Sequence, residues 1–554
     1  MSNKIGRQKK QHVNAGTEIT GQIMEYILAV VIMAVCVVVP LYARDGYRQI
    51  GNAKYAAYKS IMITGFSVLL ALTALYLFFW QKEKSKWSVS LTDLFVMAYL
   101  VLSGFSVISG GFYEDALWGC NGWNMGLLSQ ISFVLLYLFI SRFGKYYRLM
   151  MYVLCGTAAV VFFIGILHRM MIDPIGFYEG LADYQKAQFL STLGQATWYA
   201  SFLAVTLPVG IAVFLYTEKR VLRVLGGVYV FLGFSTLVTQ NSDSAYFALA
   251  GCMLVFFWVS VENGDYLERF LWISVLFFTA GKVMYFLLQI HPNPALEYDV
   301  MTEFILCSPG SWILLGVCLA ACAALYIRRH VKGCTGRKDS MDRLRRGVLF
   351  AAAAALAGIV AVIYLNARGA LPEALSEKLG KISYFNWNDD WGNGRGRIWS
   401  FAVRMYGQES LLHKLFGVGP DCFNAYVSAY HSEEAALLWG EKLLTNAHNE
   451  WLSMLINGGL FGAAAYIGIF MTAVCRFLKA ASGRGGIACG ADSAYGTERM
   501  MLTGIAAAVV SYMAYNFFCY QQVLCTPFIF ILMGIGEYIT VTDGKSIREG
   551  KRKG

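Results

Sequence analysis

Residues 196–216 read ATWYASFLAVTLPVGIAVFLY, 21 residues without one charged side chain. As a helix rising about 1.5 Å per residue, that run spans roughly 30 Å, the thickness of a bilayer's hydrocarbon core. Similar apolar runs recur along the whole 554-residue chain. We read fourteen of them, near 23–43, 61–80, 91–109, 126–141, 149–168, 196–216, 224–239, 243–260, 268–290, 311–327, 347–365, 451–475, 500–519 and 524–541. In lipid every backbone N–H and C=O must be paired within the protein, and a helix does this inside a single segment. The predicted fold is therefore an all-α polytopic membrane protein of about fourteen transmembrane helices. With 57% hydrophobic and only 15% charged residues, the composition excludes a soluble enzyme, a disordered chain and a disulfide scaffold.

The net charge of +11 raises the question of nucleic acid, which the distribution of that charge answers. If the chain starts in the cytoplasm, 31 Lys and Arg fall on inward segments, 6 on short outward loops, 8 in one long outward loop, and Lys282 lies within a span. This positive-inside bias predicts a multi-pass protein of the cytoplasmic (inner) membrane with both termini cytoplasmic, and anionic lipid accounts for the basic loops. No nucleic-acid partner is expected. The organisation reads as a basic cytoplasmic tail (1–22), eleven spans (23–365), an outward loop domain (366–450), three more spans (451–541) and a second basic tail (542–554). The basic start leads into a full-length span without a small-residue cleavage site, so the first helix is expected to act as an anchor. The 13 cysteines lack metal-ligand spacing and read as packing residues, with Cys120, Cys307 and Cys422 outside the spans.

Segment 366–450 is long for a connection, and long loops carry function. It opens with Pro372-Glu373-Ala374-Leu375-Ser376-Glu377-Lys378-Leu379, whose leucines predict a short surface helix. It continues through the aromatic, turn-rich Trp387-Asn388-Asp389-Asp390-Trp391-Gly392-Asn393-Gly394-Arg395-Gly396-Arg397-Ile398-Trp399 and an amphipathic run to Phe416. Then come Gly417-Val418-Gly419-Pro420-Asp421-Cys422-Phe423 and Thr445-Asn446-Ala447-His448-Asn449-Glu450-Trp451. Arginine's planar fork suits bidentate phosphate binding, although Arg395 could equally pair with Asp389 or Asp390. His448 could take or orient a hydroxyl proton, or simply cap the next helix. Lys282 is either functional, snorkelling, or paired with Glu25 or Glu537. His168, Arg169, Asp173, Glu179 and Asp183 either line a site or form a solvated loop face. Asp389-Asp390 and Glu433-Glu434 are adjacent pairs, not spaced carboxylates, so no metal is expected. Neither a phosphate-binding Walker loop nor a dinucleotide-binding glycine motif is present, which removes kinases and oxidoreductases.

These motifs resemble the O-antigen ligase and polysaccharide polymerase superfamily of membrane glycosyltransferases. The family pattern is an Arg four residues before a Trp, then Gly-x-Gly-x-x-x-Phe, then His-Asn opening a helix that continues with Gly-x-x-Gly. Here these are Arg395 and Trp399, Gly417, Gly419 and Phe423, and His448-Asn449 followed by Gly459 and Gly462. Weaker echoes are Gly194-Gln195-Ala196-Thr197-Trp198-Tyr199-Ala200, and Leu117-Trp118-Gly119 with Trp123-Asn124-Met125-Gly126. One departure is Ser242-Asp243-Ser244, where the family often has Ser-Arg, leaving Arg397 or Arg169 to supply that charge. The resemblance implies a GT-C-like bundle that moves a glycan from undecaprenyl pyrophosphate to an acceptor hydroxyl at the outer face of the membrane, in cell-surface polysaccharide biosynthesis. It implies no cofactor and no metal, with a lipid-linked glycan, an acceptor glycan or lipid, and membrane lipids as partners. It assigns His448 to catalysis and Arg395 with Arg397 to the pyrophosphate, while Trp399, Gly417, Gly419, Asn449 and Arg169 could line the substrate. The rival is a lipid-linked oligosaccharide flippase or other polytopic transporter, whose usual signature of two related halves is not seen.

Overall fold

The computed structural model describes residues 2–79, 88–293, 296–328, 338–380, 383–483 and 494–553. The apolar runs are helical over most of their length, and the protein is an all-α polytopic membrane protein. Among the described residues eleven helices are long and apolar enough to cross a bilayer. The remaining three of the fourteen expected spans are the shorter apolar helices Leu127–Phe143 and Thr526–Thr542, and the helix Ala494–Tyr515. The only described sheet is a two-stranded antiparallel pair, Phe189–Leu190 with Gly194–Gln195, just ahead of the Ala196–Tyr216 helix.

Ala196–Tyr216 is apolar on all sides, so it sits at the centre, packed on Ala494–Tyr515. Lipid tails are as apolar as leucine, so helices in a membrane associate through close contact between small residues. Gly504 is such a residue: a Cβ there would lie 2.9 Å from that of Ala212. At the other extreme, the apolar window of Asp342–Ala367 has none of its residues buried. That helix lies at the edge of the bundle, joined to it by Arg345, which pairs with Glu262 (3.5 Å).

Two lysines within the bundle are satisfied, as burial in lipid requires. The second helix begins at Ile50, earlier than its apolar run, so Lys54 is helical and fully buried. Its Nζ donates to the carbonyls of Val39 (3.0 Å), Pro40 (2.9 Å) and Tyr42 (2.9 Å), closing the end of the Ser2–Leu41 helix. Lys282 likewise donates to Ile305 O and Leu306 O (both 3.0 Å) and to Ser311 Oγ. Its two suspected partners are engaged elsewhere, Glu25 with Lys145 (3.3 Å) and Glu537 with Arg476 (2.8 Å). Both segments read as tails continue their neighbouring spans, as the single helices Ser2–Leu41 and Thr526–Lys553.

Between Asp342–Ala367 and Glu450–Gly483 the chain forms the short helices Glu373–Gly380, Trp391–Gln408, Leu411–Phe416, Phe423–Tyr430 and Ser432–Trp439. The amphipathic run is thus two helices, and its apolar stripe makes a second core: Ile398, Phe401 and Met405 pack on Phe423 and Val427, and on Ala116 and Ile456 of the bundle. At the break between these helices Glu409 is only 5% exposed, and neither carboxylate oxygen has a hydrogen-bond partner. Burial pushes its carboxyl up from 4.5 to about 8, partly opposed by Lys414; Tyr406 and Tyr426 also face it. A raised carboxyl favours the fold below its unfolded value, and that contribution is lost as pH rises from 4.5 toward 8. Glu409→Gln is therefore expected to match the parent's melting temperature at pH 5 and to exceed it by at least about 2 °C at pH 9. A difference independent of pH would show that Glu409 is not charged in place.

Candidate active site

The two glycine motifs are the two halves of one backbone junction. The Glu450–Gly483 helix is interrupted at Gly459 (φ 66°, ψ −175°), which frees the carbonyls one turn earlier. Ile456 O and Asn457 O accept hydrogen bonds from Val418 N (3.1 Å) and Gly419 N (2.9 Å) of the Gly-Val-Gly turn. Gly417 has φ +80°, and a Cβ on it would meet Asn457 O at 2.3 Å; a Cβ on Gly459 would meet Leu415 C at 2.4 Å. Only two glycines let the backbones come this close. Ser109 Oγ locks the turn by donating to Gly417 O (2.6 Å).

Asp421, two residues after Gly419, reaches back to the early motif. Its Oδ2 accepts from Cys120 N (2.8 Å) and Met125 N (2.9 Å), gathering the 117–126 loop beneath the glycine turn. Burial pushes this carboxyl up to about 7 despite those two N–H donors. The 194–200 echo arrives at the same place through Trp198, whose ring meets Trp123 edge-on at 5.5 Å. Trp123 in turn meets Tyr520 at 4.6 Å.

Tyr520 leads to the centre of the site. The 500–519 run was expected to be helical throughout, but its helix ends at Tyr515 and residues 516–525 turn across the top of the bundle. Asn516 O accepts from Glu450 N (2.9 Å), which ties this segment to the start of the Glu450–Gly483 helix. Asn449 Oδ1 accepts from Leu452 N (3.0 Å) and Ser453 Oγ from Ala447 N (3.1 Å), completing the cap. His448, just before the helix, is held at φ +48° by its N–H donating to Asn446 Oδ1 (2.9 Å). A non-glycine residue there is strained, a state that clusters at functional sites. Its ring lies edge-on to Tyr520 at 5.3 Å, and among the described residues neither ring nitrogen is hydrogen-bonded.

Arg395 comes from the other side. Its Nε (3.2 Å) and Nη2 (3.0 Å) donate to Phe518 O, and Nη1 donates to Gly392 O (2.7 Å). Of its five N–H donors three are thus used, and two remain for a ligand. Burial and the Arg395 charge push His448 down to about 4, so the two side chains act on each other and the imidazole is neutral at pH 7. The same charge reaches Asp299, which accepts from Asp243 N (3.3 Å), so the acidic Ser242-Asp243-Ser244 stretch also approaches Arg395. Trp399 stacks on Phe518 (6.1 Å) and joins Trp387 and Trp391 in a cluster over the segment.

The fold therefore brings together Arg395, Trp399, Gly417, Gly419, His448 and Asn449. Arg397 and Arg169 are held elsewhere. Arg397 donates to Leu438 O (3.1 Å) and pairs with Asp389 (3.4 Å) and Asp390 (3.5 Å), the aspartates considered for Arg395. Arg169 is 1% exposed and donates to Ala187 O (2.9 Å). His168 and Asp173 bond each other (3.1 Å), clamping their loop. Among the described residues no group of three or more His, Cys, Asp or Glu is arranged to hold a metal ion. The sequence reading missed Phe518, Tyr520 and Gln521; the amides of Asn516 near the end of one apolar run, and of Gln521 and Gln522 just before the next, were the signal available.

Residues 301–467 match the sequence model of a family described as O-antigen ligase. That segment is similar to the O-antigen ligase family. The matched residues contain Arg395, the Gly-Val-Gly turn, His448 and the Gly459 break, so all three dense motifs lie within the ligase-family segment. The 117–126 and 194–200 loops and the 516–525 segment lie outside it and complete the site from the rest of the bundle. Comparison with curated proteins gave no match.

Proposed function

We propose that this O-antigen ligase-like protein transfers a glycan from undecaprenyl pyrophosphate to an acceptor hydroxyl at the outer face of the cytoplasmic membrane. The observation that carries this reading is the meeting of a half-buried arginine with two free donors and a neutral histidine with two free nitrogens on one backbone segment. The carrier enters from the outer leaflet and Arg395 binds its pyrophosphate. The acceptor oxygen forms a bond to the anomeric carbon, and the bond from that carbon to the phosphate oxygen breaks. Its electron pair leaves with undecaprenyl pyrophosphate, and the hydroxyl proton passes to His448. In-line displacement of this kind inverts the anomeric carbon.

The test is incubation of the reconstituted protein with undecaprenyl-pyrophosphate-linked repeat units, followed by sizing of the product. A ladder identifies a polymerase, and a single transfer needing an added acceptor identifies a ligase. Carrier moved between leaflets without transfer rejects the proposal in favour of a flippase. Charge-assisted hydrogen bonds contribute about 1.5–3 kcal/mol each, so Arg395→Ala is expected to raise the donor KM roughly 100-fold. Arg395→Lys, which keeps the charge but loses the fork, should fall between, and a donor KM unmoved by both would remove Arg395 from the pyrophosphate.

A further inference from the structure

Glu450, the first residue of the Glu450–Gly483 helix, takes no part in the chemistry above, yet its side chain is buried at the crossing of the pieces that build the site. Its described partners are phenols rather than cations. Oε1 accepts from Tyr466 OH and from Tyr512 OH (2.9 Å), and the Tyr512 proton is shared with Oε2 (3.1 Å). Each contact of this residue leads to the 516–525 segment. Its backbone N–H donates to Asn516 O (2.9 Å), where the segment starts. Tyr466 OH accepts from Gln521 Nε2 (2.8 Å), near the middle. Tyr512 OH lies 3.3 Å from Thr526 Oγ1, which accepts from Gln522 N (3.2 Å) at the end. We propose that Glu450 is a positioning residue for Arg395: it fixes the segment at its start, middle and end, and so sets Phe518 O where that carbonyl aims the guanidinium. The proposal rests on the glycan-transfer reading above.

Two features make the aim of Arg395 depend on these anchors. Its Nε and Nη2 both donate to Phe518 O, so a single carbonyl sets the direction of the fork. That carbonyl belongs to the backbone, and its place is decided by whatever holds the chain on either side of it. Asn516 stands two residues before Phe518 and Gln521 three after, so a shift at either anchor carries the carbonyl with it. Gln130 Nε2 braces Gln521 from the opposite side by donating to Oε1 (2.8 Å). Loss of the shared acceptor would leave the buried hydroxyls of Tyr466 and Tyr512 to find new partners, and the segment would move with them.

The test is a double-mutant cycle on the donor KM of the reconstituted protein, with undecaprenyl-pyrophosphate-linked repeat units as the probe. Glu450→Leu removes the shared acceptor and is expected to raise the donor KM about tenfold in the parent but to add less than about twofold once Arg395→Ala is present, because a residue that acts through another does not add to its loss. Glu450→Gln keeps the Oε1 that both hydroxyls reach and should recover most of that loss. A variant that only loosened the fold would instead add its full effect to Arg395→Ala. Additive effects, a donor KM unmoved by Glu450→Leu, or a glutamine variant as impaired as the leucine one each overturn the positioning role while leaving transfer itself standing. Tyr466→Phe, which removes only the hydroxyl between Glu450 and Gln521, is carried through the same cycle and decides the question if Glu450→Leu does not give folded protein. Failure of the parent to transfer at all is a different result, removing the glycan-transfer reading and this role with it.

Discussion

Replacing His448 with alanine is expected to lower glycan transfer by about 100- to 10,000-fold, the contribution of a positioned acid or base, with carrier binding retained. The ring makes only an edge contact with Tyr520, and the bond to Asn446 comes from the backbone, so little of the fold depends on the imidazole. Because φ is +48°, His448→Asn is the better-matched control, since asparagine tolerates this conformation and also lacks the base. Both variants should be inactive in the sizing assay, and turnover by either at the parent's rate would dismiss His448 as the base. The pH profile gives an independent check. Burial and Arg395 hold the free protein's imidazole near 4, so kcat/KM should persist down through pH 6.5 and fall only as pH drops through about 4. Arg395→Ala removes one of those two causes and should move the acid limb upward.

The second large effect is expected at Gly417. An alanine there combines φ +80° with a Cβ 2.3 Å from Asn457 O, and the backbone conformation alone costs about 1–3 kcal/mol before the clash is counted. Because that carbonyl accepts from Gly419, the variant must break the junction between the turn and the long helix. We expect poor yield of monodisperse protein and new protease cleavage between residues 410 and 425. Gly462, the other glycine of the later motif, provides the contrast, because a Cβ there meets nothing within 4 Å. Gly462→Ala should behave like the parent; if Gly417→Ala does so too, the close approach of the two backbones is not needed for folding.

The sequence revealed the bundle because charge-free runs of about twenty residues have few other structures open to them. Arg395 and His448 stood out as candidates because the motifs that carry them resemble those of the ligase superfamily; their own chemistry left other roles open. The path between them did not stand out. Its carrier, Phe518 O, is a backbone atom, and Asn516, the one local mark of the helix end, is followed at once by the apolar Phe517 and Phe518. Asp421 was equally obscure, since its partners are the N–H groups of Cys120 and Met125, some three hundred positions earlier. Arg397 shows the opposite limit: it stands two residues from Arg395 in the same glycine-rich stretch, and only the fold reveals its pairing with Asp389 and Asp390.

The position of residues 516–525 bears on how such proteins can be recombined. The ligase-family segment ends at 467, yet the carbonyl that orients its arginine and the tyrosine beside its histidine come from beyond that end. Asp421 likewise completes its bonding on the 120–125 loop. A chimera that grafts 368–467 onto a foreign bundle would carry the motifs intact and still arrive with the guanidinium and imidazole unaimed. The smallest transplantable unit is discontinuous, and specificity swaps between relatives should exchange all three pieces together.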